Sequence, residues 1–142
     1  MNSFSLSRVV LLATCVWGVA AMADDSLYPD EGPFRPGEGF GTPATCETMP
    51  DWIDRAPEVN GRVSMVIKGP IVESHWDGAL AYLIMCQPEQ VQVMCVTYYP
   101  EDVTGEPVQF AGGYNRAGER QIILDPCLTY PVDAEPVESD GG

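Results

Sequence analysis

The sequence predicts an all-β domain, a small five-stranded Greek-key barrel preceded by an irregular Pro/Gly-rich arm. Three observations point there. Residues 62–130 fall into five short runs of alternating or continuous apolar residues, separated by turn-forming clusters. Glycines interrupt those runs where a closing sheet has to bend. A long amphipathic helical pattern and an internal repeat are both missing from the chain. A small antiparallel β-sandwich is the alternative.

The elements follow in order. "MNSFSLSRVVLLATCVWGVAAMA", residues 1–23, places Arg8 before an apolar run from Val9 to Ala21 and ends on Ala21-Met22-Ala23. A basic start, an apolar core and a small-x-small end make a secretory signal peptide. The run is shorter than the roughly 20 residues that a membrane-spanning helix needs. Cys15 follows Thr14 and lies too early in the run for a lipid-attachment site. The expected mature chain is therefore residues 24–142, periplasmic or secreted, with no membrane span.

Residues 24–60 form the arm. Up to Thr45 the segment is dense in proline and glycine, which suits neither a helix nor a central strand. Tyr28, Phe34 and Phe40 are candidates to dock on the domain. Met49, Trp52 and Ile53 line one side of a short helical turn that Pro57 ends.

The domain itself spans residues 61–130. "RVSMVIKGPIVE" is the first strand, bent at Gly69-Pro70 because glycine permits a bulge and proline removes a ladder donor. "SHWDG" reads as a loop. "ALAYLIMC" is the second strand, apolar on both faces and so expected to be covered on both. "QPEQ" is a turn, and "VQVMCVTYY" alternates as the third strand. "PEDVTGEP" is a loop, "VQFAGGY" the fourth strand, "NRAGER" a loop. "QIILDPCLTY" is the fifth strand, with a break expected at Pro126. "PVDAEPVESDGG", residues 131–142, is an acidic tail with the composition of a disordered segment.

Charge narrows the function. The chain carries a net charge of −14; losing Arg8 with the leader leaves six Lys/Arg against 21 Asp/Glu, or −15. Such a chain repels phosphates and anionic membrane surfaces, so nucleic acid is not expected as a partner.

Cysteine usage agrees with an exported chain. Cys46, Cys86, Cys95 and Cys127 remain after the leader, an even number in an exported chain, and they suggest two disulfides with three possible pairings. Zinc would need C-x-x-C-type spacing, and His75 is the only histidine, remote from every cysteine. Copper ligation would need clustered Met and His, and Met49, Met65, Met85 and Met94 lack that spacing. The D-x-D-x-D-G pattern for calcium does not occur. Neither a metal nor a cofactor is expected.

Catalytic motifs are equally sparse. Ser74 and His75 are adjacent and so point apart on a strand, and G-x-S-x-G does not occur. Glu73 and Asp77 flank "SHW", and Glu101-Asp102 sit in a loop, but 21 acids make such pairs commonplace.

The order "NGRVSMVIKGPIV", "ALAYLIMC", "VQVMCVTYY", "GEPVQFAGGY", "RQIILDPCL" resembles exported bacterial OB-fold proteins of the anticodon-binding-like (tRNA-anti-like) group, over about residues 60–130. Pro126 and the short connection between the third and fourth strands depart from that pattern. The resemblance implies that the fifth strand lies beside the third. Cys127 would then meet Cys95, leaving Cys46 to pin the arm at Cys86. The rival Cys86–Cys95 pair fits poorly: a turn centred on Pro88-Glu89 sets Cys95 opposite Tyr82 and leaves the two cysteines about four residues out of register. Sequence leaves the pairing open.

OB barrels bind through the second and third strands and the loops after the first and fourth. On that basis the candidates are His75 and Trp76 in "SHWDG", and Tyr114, Asn115, Arg116 and Arg120 in "YNRAGER". An aromatic beside paired guanidiniums suits a small anionic or sugar-like ligand, or an unknown protein partner. The alternative is that Tyr114 packs, Trp76 plugs a barrel end, and both arginines pair with local acids such as Glu119. The functional expectation is a non-catalytic, disulfide-stabilised binding or interaction module. A small carboxylate-based hydrolase and an envelope structural protein docking through its arm are the alternatives.

Overall fold

The computed structural model describes residues 32–37 and 39–134. The predicted signal peptide, the arm up to residue 31 and the tail from residue 135 lie outside the described residues.

Seven strands and one helical turn follow the chain. They are β1 (Phe34–Pro36), β2 (Ala44–Thr45), α1 (Met49–Trp52) running into a 3-10 turn (Ile53–Arg55), β3 (Val63–Trp76), β4 (Ala81–Met85), β5 (Gln92–Thr97), β6 (Pro107–Gly118) and β7 (Gln121–Pro131). The last five close a barrel in the order β3-β4-β5-β7-β6 and back to β3. All neighbours are antiparallel except β5 and β7, which run parallel. This is a small OB-like barrel with two extra strands.

Closure depends on the bend in β3. Its first half pairs with β6 as far as Pro70↔Pro107, and its second half pairs with β4 from Ile71↔Met85. Two prolines end one ladder where neither has an N–H to give. Gly69 lies at the crossing: a Cβ there would stand 3.2 Å from Met85 Sδ and 3.4 Å from Cys46 Sγ.

Alternation sets the interior. Ala81, Leu83 and Met85 of β4 and Val93, Cys95 and Thr97 of β5 point inward and are buried, with Phe110, Ile122, Leu124, Met65 and Ile67 from the other strands. The register corrects the expected one by a residue: Cys95 lies opposite Leu83, not Tyr82. Directly opposite residues share a face, so an inward Cys95 demands an inward partner. The outward pair, Tyr82 and Ile84, is half-buried beside Val96 and Met94. The second covering layer expected there is not formed by any helix or strand among the described residues.

Both sulfur bridges are formed, Cys46–Cys86 and Cys95–Cys127, with Cα–Cα distances of 5.4 and 5.3 Å.

Three expectations need correction. The arm is not wholly irregular. β1 pairs with Val63–Met65 and β2 with Ile67–Lys68, on the part of β3 that β4 leaves open. Strand pieces of two or three residues are too short to show alternation in sequence, and a vacant edge recruits them. Phe34, Met49 and Ile53 then enter the core.

The predicted loops are also shorter than expected. Ser74, His75 and Trp76 continue β3, and residues 115–118 continue β6 into a tight hairpin closed by Gly118↔Gln121. Polar residues on an exposed strand face imitate loop composition.

Finally, β7 is not broken at Pro126. Asp125 and Pro126, joined by a cis peptide, bulge opposite Gly113 between the pairs Gly112↔Cys127 and Tyr114↔Leu124. A Cβ on Gly112 would overlap the Pro126 carbonyl, so the glycine pair in "FAGGY" makes room for the bulge.

Candidate functional site

The sequence-predicted site residues fall at two ends of the barrel. Trp76 pairs with Ala81 and through it with Thr97, the last residue of β5. The hairpin carrying Arg116 and Arg120 meets β5 at its first residue, through Gln92↔Gln121. Five strand residues separate the ends, about 17 Å at the usual rise. The single binding face expected from sequence is therefore two separate places.

At the first end, His75 lies across from Tyr82, ring centroids 6.2 Å apart, and Trp76 is 46% exposed. Next to them Asp77 closes the turn. Its carboxylate accepts from the backbone of Ala79 at 2.8 Å and Leu80 at 2.7 Å, and from the Tyr82 hydroxyl at 3.0 Å. Those donors, Leu80 foremost, hold the Asp77 carboxyl below its ordinary range. The same bond to Asp77 raises the Tyr82 phenol.

At the second end every candidate is engaged within the protein. Tyr114 packs edge-to-face on Phe34, centroids 5.0 Å apart, and burial raises its phenol. Asn115 Nδ2 donates to the Gly113 carbonyl. Arg116 donates to Asp54 Oδ1 at 2.8 Å and to the carbonyls of Gly118, Glu119 and Ile53. Arg120 donates to the Glu89 carbonyl at 2.9 Å. These arginines tie the hairpin to the helical turn and to the β4–β5 turn. The donors of Arg116 are largely spent on structure, and Arg120 spends one.

A third place gathers more binding chemistry. The pairing of β5 with β7 ends at Cys95↔Leu124, and the strands then part. Between Val96–Tyr99 on one side and Asp125–Leu128 on the other opens a cleft of about 520 Å³, a size suited to a small ligand. Tyr98 and Tyr99 line it, 71% and 64% exposed. Tyr130, Phe40 and Leu128 add apolar surface, and Arg62, Asp125 and Thr97 add polar groups. Cys127 also lines it, so the Cys95–Cys127 bridge holds the strands where their hydrogen bonds stop.

A second cleft of about 440 Å³ adjoins the first and shares Phe40. It lies over the Lys68↔Gln109 pair of β3 and β6. Gln109 is buried, and its amide donates to the carbonyls of Pro131, Val132 and Ala134, which fastens the start of the tail beside the cleft.

Sequence reasoning missed both clefts. Their residues are scattered from position 40 to 134, and those within the quoted strands read there as fold, not as a site. One signal was available: Tyr98-Tyr99 are consecutive aromatics at a strand end, and neighbours on a strand cannot both face a core.

The described residues contain no group of three or more His, Cys, Asp or Glu placed to hold a metal, and no helix long and apolar enough to cross a membrane. Fold and clefts together define an OB-like barrel with an aromatic groove at the parting of two strands. No family model, no curated protein and no solved structure matches the chain.

Proposed function

We propose that this chain is an exported, periplasmic or secreted, binding module of the OB-like kind, without a catalytic centre, whose ligand lies in the groove between β5 and β7. Kinship with the exported anticodon-binding-like group is part of the same proposal, supported by the strand order. The observation that carries the reading is the groove itself: exposed Tyr98 and Tyr99 opposite Leu128 and Tyr130, with Arg62 and Asp125 among them. Aromatic faces supply contact area, and a few polar groups orient a ligand. Export is supported by the signal-like residues 1–23 and by the two disulfides.

The hydrolase alternative finds less support. Acid–base cleavage by carboxylates needs two of them flanking one site, and among the described residues each cleft is lined by a single acid, Asp125 in one and Asp133 in the other.

An NMR screen of the mature chain against a library of small ring compounds tests the proposal. Hits are expected to perturb the amides of residues 96–99 and 125–130. Hits that gather at the 114–120 hairpin, or a library without hits, would overturn it.

A further inference from the structure

Resting on the groove as the ligand site, the chemistry of its two clefts narrows the ligand class. Most cations of the described chain are already committed. Arg116 and Arg120 are bonded as described, and Arg55 lies over the Trp52 ring, 4.4 Å from its centroid. The side chains of Arg62 and Lys68 make no hydrogen bond or ion pair among the described residues. Both line a cleft, Arg62 the first and Lys68 the second.

Among the described residues each cleft also holds one carboxylate, Asp125 with Arg62 and Asp133 with Lys68, and neither cation pairs with its neighbour. The two clefts therefore repeat one composition, a free cation and a free acid, on either side of the shared Phe40. A repeated site of this kind fits a repeating ligand. The cation would take an anionic group, the acid would accept from hydroxyls, and the aromatic would stack on a ring face.

Arg62 precedes β3 by one residue and Lys68 lies six residues further along, about 20 Å at the usual strand rise. A single ring cannot touch both. The acid in each cleft disfavours a doubly charged phosphate but tolerates one carboxylate per ring. The overall negative charge acts on an anionic chain mostly from a distance, and at physiological salt that repulsion is screened beyond roughly 8 Å.

We infer that the groove binds a segment of an acidic, uronic-acid-bearing glycan, laid from Arg62 past Phe40 to Lys68. Two carboxylates are held by the two cations, and ring hydroxyls are held by Asp125 and Asp133.

Calorimetry of the mature, oxidised chain with tetragalacturonate, its methyl-esterified form and the monomer tests this. The ester has the same rings and length but no charge. The free acid is expected to bind at least about tenfold more tightly than the ester, the worth of one charge-assisted bond. Arg62→Gln and Lys68→Gln should each weaken the free acid by about tenfold and leave the ester unchanged. Both side chains are exposed, and unchanged melting of the variants checks their folding.

Equal affinity for acid and ester would overturn the acidic-glycan inference while leaving the groove as a neutral-sugar site. A monomer as tight as the tetramer would overturn the span across two clefts. Binding of the acid that ignores both substitutions, or no binding of acid or ester, also overturns the inference. The fragment screen then decides the groove itself.

Discussion

Asp77 shows how much one exposed side chain can organise. It receives two backbone N–H groups and a phenol, so it both shapes the turn into β4 and ties that turn to Tyr82 on the outer sheet face. Because the folded protein stabilises the carboxylate, its folded pKa lies below the ordinary 3.8. The stability this provides is present above that ordinary value and is lost as pH falls through the folded value. Asp77→Asn is therefore expected to lower the melting temperature at neutral pH and to converge with the wild type in acid. Melting curves of both proteins across that range check it; a gap that persists in acid would mean that the side chain acts by shape and not by charge. Sequence showed Asp77 as one of two acids flanking Ser74, His75 and Trp76, in a stretch read as loop. Capping depends on where the chain turns, and the turn begins at Asp77 because Trp76 still pairs with Ala81.

The strands of the barrel were legible because their periodicity is local, and the groove was not because it is made of ends. Leu83, Met85, Val93 and Cys95 alternate in sequence as they do in the wall. Tyr98 lies where β5 stops, Pro126 where β7 bulges and Tyr130 near the end of β7, positions that only the closure of the sheet brings together. β1 and β2 were hidden for the same reason: their partner is the vacant edge of β3, more than 20 residues further along the chain. The disulfides separate these layers experimentally. Cys46–Cys86 closes a separation of 40 residues and pins the arm, and Cys95–Cys127 closes 32 residues and borders the groove. Chain-entropy reasoning gives each bridge about 4 kcal/mol. The double variants Cys46→Ala/Cys86→Ala and Cys95→Ala/Cys127→Ala should thus lose similar stability, read as a lower denaturant midpoint. Only the second should also lose ligand binding at 96–99 and 125–130. Equal loss of binding in both would show that the arm, through Phe40, sets the groove as firmly as the strand bridge does.

For the molecule as a whole, charge is the dominant stress on the fold. The barrel leaves no open edge between its five main strands, and its core draws on every strand from β3 to β7 and on the arm. Against this works a net charge of −14 on 142 residues. The mutual repulsion of carboxylates favours any state that spreads them apart, and unfolding does so. Attraction offers little in return. The Arg116–Asp54 pair is a surface pair, with the aspartate side chain 79% exposed, and pairs of that kind contribute little. Screening should therefore relieve more repulsion than it removes attraction. The expected result is a melting temperature that rises by several degrees between low ionic strength and physiological salt. For a domain of this size, a rise of about 4 °C corresponds to roughly 1 kcal/mol. Sodium and potassium chloride should act alike, since screening depends on ionic strength and not on the identity of the cation. A rise with one cation alone would point to a specific ion site, and a fall would show that close ion pairs, not self-repulsion, govern the electrostatics of the folded chain.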